Sequence, residues 1–147
     1  MKTAISEVLS ATRGRRLYYA APDATVADTV REMCDREVGS ICVIDDNRLV
    51  GIFTERDLMK RVVVAGRDPA DTPLADVMTP DPVCVTSDTA VGSAMQTMED
   101  RDLRHLPVVE GERLVGMISL RDLTEFLVTK QQGRIDDVVG TIRTVMA

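Results

Sequence analysis

An internal repeat constrains this chain more than any other feature. Sliding the sequence by 65 positions aligns Asp23–Leu58 with Asp88–Leu123 without a gap. Identical pairs include Val26 with Val91, Met33 with Met98, Val43 with Val108, Gly51 with Gly116 and Arg56-Asp57-Leu58 with Arg121-Asp122-Leu123. Upstream the match resumes at a shift of 69, where Ile5, Val8 and Leu9 face Leu74, Val77 and Met78. Repeat one therefore carries four extra residues in the stretch that holds Arg13, Gly14, Arg15 and Arg16. A repeat of this length is one supersecondary unit that needs a neighbour to cover its apolar face.

Each repeat reads alike. Val26, Val30 and Met33 fall on one face of a helix, as do Val91, Met95 and Met98. Apolar runs at residues 41–44 and 106–109 predict buried strands. Asp45-Asp46-Asn47 and Glu110-Gly111-Glu112 are turn chemistry. Residues 49–54 and 114–119 then predict the second strands of two hairpins. Helices follow from Glu55 and Leu120, and short strands precede the first helices at residues 17–20 and 82–85. The expected order is β-α-β-β-α, twice: an α/β (α+β) fold in which the repeats pack as a pseudo-two-fold pair. The expected boundaries are residues 5–66 for the first repeat, 67–73 for a linker and 74–130 for the second repeat. Ile135, Val138, Val139, Ile142 and Val145 follow helical spacing and predict a separate amphipathic C-terminal helix over 134–147. That helix either packs on its own chain or forms a dimer contact.

Composition narrows the function classes. Twenty-four acidic residues against 18 basic ones give a net charge of −6. This argues against broad nucleic-acid binding, which rests on neutralising phosphates. The longest apolar runs fall far short of a membrane span. The N-terminal residues do not resemble a secretory signal, although a transit peptide is compatible with them. Three cysteines, an odd number with no CxxC, are expected to be reduced and mostly buried in a cytoplasmic protein. The methionines at helical spacing are expected in the core. No zinc-site spacing, phosphate-binding loop or nucleophile–base pattern occurs, so neither a metal site nor an enzyme is expected. His105, the only histidine, is expected to be structural rather than catalytic.

Two segments carry the chemistry, Gly51–Leu58 and Gly116–Leu123. Each runs from a glycine through a strand end to a hydroxyl residue, two further positions, an aspartate and a helix. One reading is a capping box, with Thr54 or Ser119 as N-cap and Asp57 or Asp122 bonding back. The box favours the longer Glu or Gln, however. Arg56 and Arg121 also sit at the second helical position, where a cation opposes the helix dipole. Two arginines there fit an anion held at the helix start. The aspartates could then accept hydrogen bonds from ribose hydroxyls. Spacing alone leaves both readings open.

The tandem β-α-β-β-α repeat with two such segments resembles a pair of CBS (cystathionine β-synthase) domains. Arg104-His105-Leu106-Pro107-Val108-Val109 and the linking Val77-Met78-Thr79 strengthen the likeness, which covers about residues 5–130. It is greatest to small stand-alone pairs. The resemblance implies two clefts between the repeats that bind AMP, ADP, ATP or related adenosyl ligands. One cleft would use Asp122, Ser119, Arg121 and Met117 with Tyr18, Val38, Gly39 and Ser40. The other would use Asp57, Thr54, Arg56 and Ile52 with Thr79, Asp81, Val83, Leu103, Arg104 and His105. Repeat one departs from the family pattern: Leu-Pro-Val-Val is replaced by residues 41–44, and the basic pair by Gly39-Ser40. Arg13, Arg15 and Arg16 either compensate for that or form a solvated basic loop. The implied function is a regulatory module with no obligatory cofactor, a homodimer that signals to an effector protein. The alternatives are an interaction scaffold with empty clefts, or a sensor of S-adenosylmethionine or NAD(H).

Overall fold

A computed structural model describes residues 3–12 and 17–146. The inserted Arg13, Gly14, Arg15 and Arg16 lie outside the described residues. In the first half, β1 (Tyr19–Ala20), α2 (Val26–Asp35), β2 (Ser40–Asp45) and β3 (Arg48–Thr54) follow the short helix α1 (Ile5–Ala11). One α-helical turn, α3 (Glu55–Asp57), continues as a π-helix over Leu58–Val63. After the linker come α4 (Leu74–Val77), β4 (Thr79–Pro80), α5 (Val91–Arg101), β5 (His105–Glu110), β6 (Arg113–Ser119) and α6 (Leu120–Met146). Among the described residues, no helix is long and apolar enough to cross a membrane.

The first half forms a sheet in the order β1-β2-β3-β4, with β1 parallel to β2 and the other pairs antiparallel. In the second half β5 and β6 form an antiparallel hairpin. The halves share register in detail. Ala20 pairs with Val43, and the equivalent Val85 makes an isolated parallel bridge to Val108. Both hairpins shift register at the same place, Val43/Ile44 and Val108/Val109. Of the strand expected over 82–85, only Val85 pairs. The strand of this region is instead Thr79–Pro80, which adds to the first-half sheet at Gly51 and Ile52.

Two apolar clusters form the core, and each borrows a short helix from the other repeat. Ile5 and Val8 of α1 are fully buried in a cluster with Val91, Ala94, Met98, Leu106, Val108, Ile118 and Leu123 of the second repeat. Leu74 and Val77 of α4 are fully buried with Val26, Met33, Ile41, Val43, Phe53 and Val62 of the first. Backbone bonds fix the exchange. The Ile5 N–H donates to Thr89 O (2.8 Å) and the Val91 N–H to Thr3 O (2.8 Å). The Leu74 N–H donates to Ala24 O (2.9 Å) and the Val26 N–H to Thr72 O (2.9 Å). Each α1- or α4-type helix thus seals the far half, and neither repeat closes its core alone.

Gly51 and Gly116 are explained by the same exchange. A Cβ on Gly51 would run into the thioether of Met78, and one on Gly116 would come within 2.8 Å of Leu9 Cδ2. Leu9, within α1, and Met78, just after α4, are equivalent residues of the two exchanged segments. The glycines make room for Met78 against β3 and for Leu9 against β6.

The C-terminal region differs from expectation. The helix that begins at Leu120 runs without interruption to Met146, so the expected separate helix over 134–147 is its continuation as far as residue 146. A mid-helix glycine costs only about 1 kcal/mol relative to alanine, and Gly133 does not stop it. Val63 and Val128, equivalent in the two repeats, are 67% and 62% exposed, and Ile135 and Val139 add to the apolar face of α6.

Candidate functional site

The two hydroxyl–aspartate corners make the capping box in full. Thr54 N–H donates to Asp57 Oδ2 (3.0 Å), and the Asp57 N–H donates to Thr54 Oγ1 (3.2 Å). Ser119 N–H donates to Asp122 Oδ2 (2.9 Å), and the Asp122 N–H donates to Ser119 Oγ (3.0 Å). The shorter aspartate side chain thus closes the box at both corners. A carbonyl from the preceding loop completes each one: Glu55 N–H donates to Gly39 O (3.0 Å) and Leu120 N–H to Arg104 O (2.8 Å). Both carboxylates are buried. Each box uses Oδ2.

At the Asp122 corner a cleft of about 860 Å³ opens between the repeats. That lies within the usual range of small-molecule sites. Met117, Ser119, Arg121 and Asp122 form one wall, and Tyr18, Val38, Gly39 and Ser40 the opposite one. All eight residues assigned to this cleft from the sequence meet there. His105, assigned from the sequence to the other cleft, also lines this one. The reason is register: His105 pairs with Ser119 at the start of β5. Burial lowers the His105 pKa, opposed by the charges of Asp122 and Glu55 and assisted by that of Arg104.

Sequence reasoning missed Arg36, Glu37 and Glu125 on the cleft wall. Arg36 ends α2, with its guanidinium 3.8 Å from the centre of the Tyr18 ring and its Nε 3.2 Å from Glu32 Oε1. Stacking on Tyr18 holds this cation at the cleft rim. Its place two residues before Val38 was the available signal. Arg121 bonds within its own helix, Nε to Glu125 Oε1 at 2.9 Å.

The Asp57 corner is built differently. Thr79 Oγ1 donates to Asp57 Oδ1 (3.1 Å), and Arg61 Nε lies 3.6 Å from the same oxygen. Arg61 also donates from a terminal nitrogen to Met78 O (2.7 Å). Ile52 pairs with Thr79 across β3 and β4. Arg56 reaches into the second repeat, where it donates to Asp102 Oδ2 (3.2 Å) and to Asp102 O (3.3 Å). The Asp81 N–H donates to Val50 O (3.3 Å). Val83 and Leu103 pack against the second-repeat core.

The cysteines are free. Cys42 is fully buried in β2, and burial, with Cys84 nearby, pushes its thiol up to about 12. Among the described residues, no group of His, Cys, Asp and Glu could hold a metal ion.

Similar proteins share the fold of this chain. The chain is 37% identical over 147 residues to an uncharacterised 17.7 kDa protein of Acidianus ambivalens, covering 96% of this chain and 85% of that one. Other relatives are longer: the chain spans 65% of the mitochondrial CBS domain-containing protein CBSX3 of Arabidopsis thaliana. A CBS-domain protein of Burkholderia ambifaria superposes with a TM-score of 0.82 at 30% identity, over 88% of this chain and 96% of that one. CBSX2 in complex with AMP superposes with a TM-score of 0.69 at 24% identity, over 78% of this chain and 90% of that one. The CBS-domain model matches residues 5–64 and 74–129, and the chain belongs to the CBS-domain family as a tandem pair.

Proposed function

We propose that this CBS pair is a regulatory module that binds an adenine nucleotide in the Asp122 cleft and passes the resulting change to a partner protein. The observation that carries this reading is the cleft itself. A buried carboxylate and a hydroxyl at a helix start face Tyr18–Ser40 of the other repeat across a ligand-sized space. The carboxylate suits ribose hydroxyls, and the start of α6 with Arg121 suits a phosphate. The AMP complex of CBSX2 supports the reading, because a chain of the same fold holds that nucleotide. A ligand that touches both repeats shifts their relative pose only as far as it binds one pose better than the other. The module works as a homodimer, and the exposed, equivalent Val63 and Val128 support an apolar contact between copies.

Thermal melting with AMP, ADP and ATP tests the nucleotide reading. At a hundredfold excess over Kd, binding stabilises the folded chain by about 2.7 kcal/mol. For a chain near 150 residues this raises Tm by about 5–11 °C. GMP at the same concentration serves as the control. If no adenine nucleotide moves the melt, S-adenosylmethionine and NAD(H) remain as ligands to screen. A flat response to those as well would leave the interaction scaffold as the function.

A further inference from the structure

The last helix outruns its own repeat. In the first repeat the helical stretch after the aspartate corner ends at Val63. The equivalent residue on α6 is Val128, yet α6 continues to Met146. Lys130 ties it to the body of the chain: Nζ donates to Thr3 Oγ1 (2.5 Å) and lies 3.9 Å from Glu7 Oε2. Beyond that tie, residues 131–135, 139 and 140 are all exposed. At 1.5 Å per residue, the stretch from 131 to 146 extends about 24 Å. Burial of an apolar stripe, more than propensity, holds a helical segment of this length in water. Gly133 and Gly140 add to the need, since each costs about 1 kcal/mol relative to alanine.

The stripe is present. Val128 and Ile135 are 62% and 50% exposed, and Val139 is exposed beside them. In the sequence, positions 128, 131, 135, 138, 142 and 145 follow alternating steps of three and four. They hold Val, Gln, Ile, Val, Ile and Val, a heptad seam with one polar position. That period keeps a seam against another helix. Leu127, Gln131 and Ile135 line a groove of about 700 Å³ with Thr3 and Lys130 at the body of the chain. Charge narrows the choice of helix. The whole chain carries −6, which tends to keep copies apart. Residues 131–146 do not share that excess, because Arg134 and Arg143 balance Asp136 and Asp137. Two copies of this segment meet without net repulsion. A specific interface buries about 1,200–2,000 Å² in total. Val63 and Val128 alone fall short of that, and the seam begins at Val128.

Resting on the homodimer reading above, we infer that residues 131–146 of α6 pair with the same segment of a second copy. Val128, Ile135 and the positions that continue their spacing form the seam. The contact between copies then runs from Val63 and Val128 out along the helix as one continuous surface. Gln131 is the polar position within it, and a polar side chain in such a seam specifies register at a cost in stability.

Sedimentation equilibrium of the full chain over a concentration series tests the inference. Ile135 and Val139 are exposed, so Ile135→Glu combined with Val139→Glu spares both cores. The pair should raise the dimer dissociation constant roughly tenfold or more. Thr129→Glu, on α6 but outside the seam, should leave it within about twofold. Circular dichroism supplies a second readout: the weakened variant should lose helical signal as it becomes monomeric, because the segment then has no seam to hold it. A double variant that dimerises as tightly as the unmodified chain would overturn the inference and leave a homodimer on Val63 and Val128. An equal loss from Thr129→Glu would overturn it as well, and so would an assembly of more than two chains. An unmodified chain that stays monomeric at every concentration would overturn both the inference and the homodimer reading beneath it.

Discussion

The exchange of α1 and α4 between the two cores makes a quantitative claim about which residues feel each other. Ile5→Ala removes three carbon atoms from a fully buried side chain. At about 0.8 kcal/mol per buried methylene this is about 2.4 kcal/mol of transfer free energy. The cavity left behind brings the loss to about 3 kcal/mol. For a chain near 150 residues, Tm should fall by about 6–12 °C. Loss of stability alone would not show where Ile5 packs, so the informative assay is a pair of double-mutant cycles read by urea unfolding. Val91 and Val26 are equivalent residues in the two repeats, and both are buried. Ile5→Ala combined with Val91→Ala should depart from additivity by about 1 kcal/mol, because both side chains line one cluster. Ile5→Ala combined with Val26→Ala should add to within about 0.5 kcal/mol. Leu74→Ala should behave in reverse, coupling to Val26 and not to Val91. Coupling of Ile5 to Val26 with none to Val91 would refute the exchange and return each short helix to its own repeat.

Other consequences are simpler to check. His105 is the only histidine, so its proton NMR titration can be followed without overlap; burial should place its midpoint below 6.5. The unfolded chain then binds more protons than the folded one as pH falls through 6.5, so stability drops there and levels off below the folded midpoint. His105→Gln should flatten that part of the Tm-versus-pH curve, and a midpoint at or above 6.5 would contradict the burial argument. Gly51→Ala should cost about 1–3 kcal/mol, because the new methyl meets Met78. Chemical unfolding should show that cost shrink when Met78→Ala is added, and an undiminished cost would mean that Met78 is not the obstacle. Sedimentation should give twice the 16.1 kDa chain mass, falling to the monomer when Val63→Glu and Val128→Glu are combined; a dimer that survives the pair lies on another face.

Much of the fold was legible because the chain states it twice. A strand or helix supported by only one short stretch is an ambiguous signal. The same pattern found again 65 residues later is a far stronger one. The hairpins and the helices over 26–35 and 91–101 follow from periodicity that both repeats share. What remained hidden was the choice of partner. The shift between the repeats changes from 65 to 69 at the inserted Arg13–Arg16, and nothing in local hydrophobic spacing says that α1 crosses to the second core. Ile5 and Val8 need only some apolar surface to cover, and the near identity of the two cores makes either half chemically acceptable. The chain's path decides, through backbone bonds such as Ile5 N–H to Thr89 O that no pattern encodes. The same limit explains His105, since a residue at the first position of a strand faces one cleft or the other according to register.

The site was legible for the opposite reason. Eight residues drawn from distant parts of the sequence meet in one cleft, because a resemblance supplies long-range pairing that periodicity lacks. Resemblance and repeat share a bias, however: both present the two halves as equals. The differences that break the symmetry are single residues, Arg61 against Phe126 above all. In the sequence this pair looks like ordinary drift between repeats. Its meaning depends on Thr79, which β4 brings beside Asp57, and β4 was not among the expected strands. Two identical motifs can therefore be completed by different neighbours: four residues beyond the aspartate stands a donor, Arg61, in one repeat and Phe126 in the other.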